Sequence, residues 1–481
     1  MPSPTRTLPL VALSIVLGGC ATLDQRLEAL TTAHGVSVPP AWNASAPEPR
    51  SVGPGELARW WRQLGDPLLE QLIDTALTAA PDLRNAQARL RQSRATRDLA
   101  VANLYPSLGV SAGATRSRTG VEAGGSNQSQ TLYTAGFDAS WEPSIFGGLR
   151  DAATGAEADV AAMAATLEST RASLAAEVAL EYVALRASQQ RLGIARANVA
   201  GQAETLQIAE WRELAGLVTA LDVAQARTNL EQTRASMPAL ENSRAAAENR
   251  LALLTGRPPG SLRELLREIR PLPAPPETIA VGIPADTLRQ RPDVQAAELT
   301  LRAEIARTAE READRYPAPT LSGSFGWKAL SLSALGGGDG IVRSLAASLA
   351  TTLFDGGRIR SRIAVQNAVQ EQALIAWEKS VLTALEDVEN AMSAYATGRE
   401  RTEARRRAAV SAATAAELAR DQYQAGLADF QNVLETERTL LSAQDNLASA
   451  EADVLTAVIQ LYKALGGGWQ AVPVTMESDK S

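Results

Sequence analysis

The chain has 481 residues, of which 45% are hydrophobic but only 4% aromatic, a composition of long alanine-rich helices rather than of compact aromatic cores. A formal net charge of -7, with acidic and basic residues interspersed, offers no basic stripe to neutralise phosphates and argues against nucleic acid as a partner. With one cysteine and one histidine there is no internal disulfide and no soft ligand set for a metal.

Residues 1–19 carry Arg6 and then an apolar run, Leu8 to Leu17, that is too short to span a bilayer and reads as an export signal. The run closes on Leu17, Gly18, Gly19 and Cys20, which resembles the bacterial lipobox, whose cysteine is acylated and becomes the mature N-terminus. Lipid on Cys20 explains an exported chain that keeps a single thiol, and the resemblance to such lipoproteins implies, from Ala21 in place of an aspartate, sorting to the outer membrane. Residues 20–63 then form a lipid-anchored N-terminal segment, in which His34 reads as solvent-exposed.

From residue 64 onward the chain repeats itself at a spacing of about 210 residues. Pro81 and Asp82 recur as Pro292 and Asp293, and Tyr105 and Pro106 as Tyr316 and Pro317. Phe146, Gly147 and Gly148 answer Phe354, Gly356 and Gly357; Ala215, Gly216 and Leu217 return as Ala425, Gly426 and Leu427; Leu254 and Gly256 return as Leu465 and Gly467. The repeats occupy 64–256 and 284–469, separated by a proline-rich extended linker, 257–283, and followed by a tail, 470–481.

Each repeat reads as a helix, two strands and two very long helices. The first helices are expected from Pro67 to Leu104 and from Pro284 to Arg315, ending where Pro106 and Pro317 forbid continuation. The period then changes to two. Leu108, Val110, Ala112 and Ala114 alternate with Ser107, Gly109, Ser111 and Gly113, and Tyr133, Ala135, Phe137, Ala139 and Trp141 form one face of a second strand. Leu321, Gly323, Phe325 and Trp327 give a third, and Leu345, Ala347, Leu349, Thr351 and Leu353 a fourth, with Arg116 to Gln130 and Lys328 to Ile341 as outward loops. Nine or ten residues is about what a tilted strand needs to cross a bilayer.

After Gly148 and Gly357 the helical pattern runs on to Gly216 and Gly426, and about 65 residues at about 1.5 Å each make a helix of about 100 Å. Return segments to Leu254 and Leu465 supply antiparallel partners in coiled-coil hairpins, with Pro238 expected to kink or locally break the first. Four strands are too few to close a membrane barrel, so the chain must associate: three copies give a twelve-stranded barrel continued by a long antiparallel helical coiled-coil barrel.

The residues resemble the TolC/OprM-type family of outer-membrane efflux factors, in particular its NodT-like lipoprotein branch. The resemblance rests on Leu64, Gly65, Asp66 and Pro67; on Arg291, Pro292 and Asp293; on Leu353, Phe354, Asp355, Gly356 and Gly357; and on the closing run Leu461 to Trp469. It implies a mixed α and β membrane protein and a homotrimer lipid-anchored in the outer membrane. The trimer would dock through its periplasmic helix tips, at the turns of Gly216 and Gly426, with a membrane-fusion adaptor and an inner-membrane RND-type pump. It also implies a periplasmic gate in which a pore-facing acid falls on Glu435, a constriction position on Gln431 and a nearby arginine on Arg438. The family's hairpin tie falls on Asp222 and Tyr423, with Ala428 where that tie has an arginine. No cofactor other than lipid on Cys20 is implied, and no catalytic activity: serines such as Ser144 have no histidine for a triad. Arg405, Arg406 and Arg407 read as a solvated stretch of helix. Two alternatives stay open on the residues alone: the channel of a type I protein secretion system, and a periplasmic structural coiled-coil lipoprotein.

Overall fold

The computed structural model describes residues 23–33, 36–43, 57–118, 120–123, 128–276, 279 and 281–469. The signal peptide, Cys20, His34 and the tail from 470 lie outside the described residues. Among them the elements are α1 (Leu23–Ala33), α2 (Pro67–Ala79), α3 (Pro81–Ala102), β1 (Ser107–Arg118), β2 (Ser129–Trp141), α4 (Gly148–Leu214), α5 (Ala220–Leu254) and α6 (Arg263–Leu266). Then come α7 (Pro284–Gln290), α8 (Pro292–Ala313), β3 (Ala318–Ala329), β4 (Ile341–Ala350), α9 (Arg358–Gln424) and α10 (Phe430–Ala464). The chain divides into two compact units, one of Met1–Val36, Arg91–Ala162 and Ala297–Glu378, the other of Ser37–Leu90, Met163–Ala296 and Lys379–Ser481. No helix among the described residues is long and apolar enough to cross a membrane.

The first unit holds an antiparallel sheet in the order β1-β2-β3-β4. Its register puts apolar residue opposite apolar residue: Val110 faces Phe137, Phe137 faces Phe325, and Leu321 is flanked by Trp141 and Ala347. The other face is small and polar, with Ser111 Oγ donating to Asp138 at 2.7 Å and Ser324 bonded to Ser344 at 2.8 Å. Gly136 and Gly326 pair across β2 and β3 so closely that a Cβ on Gly326 would lie 2.5 Å from the Ala135 carbonyl oxygen. Both edge strands are exposed along their whole length. β4 ends at Ala350, so Thr351 and Leu353, expected to continue its face, lie beyond the ladder. Beneath the sheet, α1 lays Leu23, Leu27 and Leu30 against Leu301, Ile305 and Leu374, and Arg26 and Arg302 pair with Glu312 and Asp24.

The second unit is organised by the motifs that open and close the repeats. Gly65 turns the chain at φ 65°, and Asp66 caps α2 by accepting from the amides of Leu68 and Leu69 at 2.9 and 3.1 Å. Its other carboxylate oxygen accepts from the buried Tyr182 hydroxyl at 2.5 Å. Arg291, also buried, grips Asp293 with two nitrogens, at 3.0 and 2.7 Å, and reaches Asp387 at 3.0 Å and the carbonyl of Ala464 at 3.2 Å. The glycines after α10 end it in a Schellman turn, Gly467 N–H donating to Tyr462 and Gly466 N–H to Lys463. Trp60 stacks on Tyr462 at 5.3 Å in a core that includes Leu69, Ile73, Leu185, Leu251, Val388 and Ile459.

Three expectations need correction. The helices expected from Pro67 and from Pro284 are each two, parted at Ala80 and at Arg291, whose extended backbone is what a following proline imposes. Pro238 does not break α5, which runs unbroken through it at an exposed position where water can take the carbonyl it leaves without a partner. The proline-rich segment after Gly256 contains α6, buries Leu262, Leu266 and Ile279 in the core, and is tied down by Gln189 and Arg186, which donate to the carbonyls of Leu266 and Glu268.

Candidate gate at the two helix turns

Two hairpins of like dimensions carry the candidate site. α4 and α9 are each 67 residues long and α5 and α10 each 35. Ion pairs such as Arg250 with Glu177 and Arg227 with Glu210 join α4 to α5, and Arg401 with Asp453 joins α9 to α10, in antiparallel order. Arg191 binds Asp445 with two nitrogens, at 2.6 and 2.9 Å, so α4 also lies along α10.

Each long helix ends in a Schellman turn. Gly216 and Leu217 donate to Glu213 and Arg212, and Gly426 and Leu427 donate to Tyr423 and Gln422, with Gly216 at φ 71° and Gly426 at φ 74°. Thr219 and Asp222 form a capping box at the start of α5; the Asp222 carboxylate accepts from both the amide and the hydroxyl of Thr219 at 2.9 Å. Asp222 therefore caps its own helix and makes no bond to Tyr423 in this chain.

Between the turns lies a small apolar cluster of Ala209, Val223, Ala226, Tyr423, Phe430, Val433 and Leu434. Tyr423 packs on Phe430 at 5.3 Å, and the Arg212 guanidinium lies 4.4 Å above its ring while donating to its carbonyl at 2.6 Å. The Tyr423 hydroxyl is buried with no partner among the described residues. Burial raises its pKa, Asp222 adds to the rise and Arg212 opposes it.

The residues expected to form the gate separate into two groups. Gln431, Glu435 and Arg438 share an exposed face of α10, and Arg438 Nε leaves it to donate to Asn229 at 3.1 Å. On the other side of the same helix, two residues from Glu435, is Glu437, 3% exposed, which sequence reasoning missed. Its carboxylate accepts from Thr205 Oγ1 at 2.6 Å, from Asn229 Nδ2 at 3.4 Å and from Arg420 at 3.5 Å, so one acid ties together all four helices. The signal was present: Phe430, Val433, Leu434 and Glu437 occupy the i, i+3, i+4, i+7 positions of one buried stripe, where an acid must be paired. Arg212 was missed as well, although a guanidinium over Tyr423 is what Ala428 cannot supply. Gln202, also buried, has both amide atoms without a partner among the described residues.

A family model described as outer membrane efflux protein matches residues 72–257 and again 283–467. The chain belongs to the outer membrane efflux protein family. It is 33% identical to the pyoverdine export outer membrane protein OpmQ of Pseudomonas aeruginosa over 97% of this chain and 98% of the relative. To the toluene efflux pump outer membrane protein TtgF of Pseudomonas putida it is 29% identical, again over 97% and 98%. Among solved structures, the outer-membrane channel OprN superposes with a TM-score of 0.84 at 34% identity, covering 90% of this chain and 98% of that one. The open-state outer membrane channel MtrE of Neisseria gonorrhoeae gives 0.79 at 25% identity, covering 90% and 97%. The protein is thus an outer-membrane channel component of an efflux system, in a family of transport conduits rather than enzymes.

Proposed function

We propose that the efflux channel works as a lipid-anchored homotrimer. Its three four-stranded sheets would close a twelve-stranded barrel, and its long hairpins a periplasmic conduit that docks on an adaptor and an inner-membrane RND-type pump. The observation that carries this reading is the sheet itself: four strands, two wholly exposed edges and one face apolar except for Arg116 and Arg343 at its far end cannot satisfy their backbone groups in a bilayer unless other copies pair with them. The two matching segments of the family model and the equal helix lengths of the hairpins support descent of the halves from one duplicated unit. The relatives, a pyoverdine export protein and a toluene efflux pump protein, favour small molecules over secreted protein as cargo.

We assign the gate to the helix turns, with Glu435 and Gln431 facing the conduit, Arg438 and Tyr423 holding the hairpins and Asp222 shaping the turn by capping its own helix. Three Glu435 carboxylates around one axis would repel one another and favour cations. Native mass spectrometry of the protein extracted from outer membranes should give three chains with a lipid-sized addition, on Cys20, to each; a single unlipidated chain would sink the assembly. In planar bilayers Glu435→Ala should lower cation preference or raise conductance, and unchanged values of both would move Glu435 off the axis.

A further inference from the structure

The two halves of the chain meet inside one sheet, and that junction predicts the junction between copies. Across it β2 pairs with β3, Trp141 opposite Leu321 and Phe137 opposite Phe325. The same register, continued past the strand ends, puts Phe146 opposite Tyr316, and these rings do stack, at 5.1 Å and 9°. In the repeat, Tyr316 corresponds to Tyr105 and Phe146 to Phe354. Yet among the described residues Tyr105 and Phe354 have no such partner: they stand at the bases of β1 and β4, the opposite edges of the sheet, 68% and 89% exposed.

We propose that Phe354 of one copy stacks on Tyr105 of the next, and that β4 pairs with β1 of that next copy with Leu349 opposite Val110. This rests on the trimeric reading above and fixes its register. Moving each side of the β2–β3 ladder to its counterpart in the other half places Leu349 against Val110, Ala347 against Ala112 and Leu345 against Ala114. A second observation agrees. Val110, Ala112 and Ala114 lie on the apolar face of β1, and Leu345, Ala347 and Leu349 on the apolar face of β4, so this register continues one apolar band across the seam. A slip of one residue would set apolar side chains against serines and glycines. The occupant is a second copy because this chain carries both complementary edges, and a head-to-tail contact of that kind makes a ring when its rotation closes, as the three-copy barrel requires. At the far end the register brings Arg343 opposite Arg116, and like charges there oppose pairing. The seam is therefore held from the end that carries the two rings and the leucines.

Paired cysteines test it in the full-length protein in outer membranes. Val110 and Leu349 of one chain are separated by two intervening strands, beyond the reach of a disulfide, so any cross-link between them joins two copies. Val110→Cys with Leu349→Cys should yield covalent dimers and trimers on oxidation, about tenfold more than the pair displaced by two residues, Leu108→Cys with Leu349→Cys. Equal or better yield from the displaced pair would overturn the register while leaving the trimer standing. A native mass of one chain for the unmodified protein would instead remove the trimer itself. Phe354→Ala and Tyr105→Ala should each lower the temperature at which the assembly dissociates in detergent, and the double variant should fall no further than the worse single one. Additive losses, or none, would exclude the ring pair.

Discussion

A hydroxyl and a carboxylate decide how firmly the second unit is stitched. Tyr182 is buried, its hydroxyl donates to Asp66, and Arg186 lies 4.8 Å from its ring centre. Burial first, and the Asp66 hydrogen bond second, push its pKa up to about 12. The group ionises later folded than unfolded, so its contribution is fully present below about pH 10 and is lost as pH rises towards 12. Tyr182→Phe should cost about 2 kcal/mol at neutral pH, the value of a hydrogen bond to a charged group. It should also flatten the alkaline fall in thermal stability followed by circular dichroism; a fall of unchanged steepness would show that another group carries it. Glu437 poses the same question at the turns, because Thr205, Asn229 and Arg420 all donate to it. Glu437→Ala leaves those donors without an acceptor and should destabilise the four-helix contact by about 3 kcal/mol. Hydrogen exchange should then quicken in residues 202–229 and 420–438 and not around Trp60; uniform quickening would make the defect global.

At the scale of elements, two glycines separate conformational from steric need. Gly216 holds φ 71°, and a Cβ added there would meet nothing within 4 Å, so Gly216→Ala should cost about 1 kcal/mol of backbone strain and loosen only its own turn. Gly326 has ordinary φ, but a Cβ there would meet the Ala135 carbonyl oxygen at 2.5 Å, so Gly326→Ala should open the β2–β3 ladder and lower the yield of folded protein. Comparable effects at both sites would refute this distinction. The long helices and four strands were legible because glycine pairs punctuate a 3.6-residue period and serine alternation marks a two-residue one. The division at Pro81 and Pro292 was not, since proline is as welcome at the first position of a new helix as it is damaging within an old one. Of the site, Gln431 and Glu435 were named through the family resemblance, and helical spacing added only that they share a face with Arg438. The buried contacts of Glu437 and Arg212 were not legible, because a charged residue among apolar helical neighbours shows its need of a partner but not which helix supplies it.

For the molecule as a whole, the two faces of the sheet should answer differently to the same substitution. Leu345 stands on the apolar face, opposite Gly323, and Ser344 on the polar face, bonded to Ser324. In a closed barrel the first would meet lipid and the second the water-filled interior, although the residues are adjacent in sequence. A lysine on the lipid side costs about 2–4 kcal/mol near the bilayer midplane and less towards either surface, and a trimer carries it three times. Leu345→Lys should therefore sharply reduce the amount of assembled trimer recovered from outer membranes. Ser344→Lys should leave that amount unchanged and shift the conductance of the reconstituted channel away from cations. Neither side chain belongs to the core of the single chain, because Leu345 is 80% exposed and the exposed Ser344 hydroxyl is bonded to Ser324, so loss of assembly reports on the bilayer rather than on the core. If both lysines were tolerated, the apolar band would not be facing lipid; if both blocked assembly, the serine face would not be facing water. Only the asymmetric result is compatible with a conduit whose wall is one residue thick.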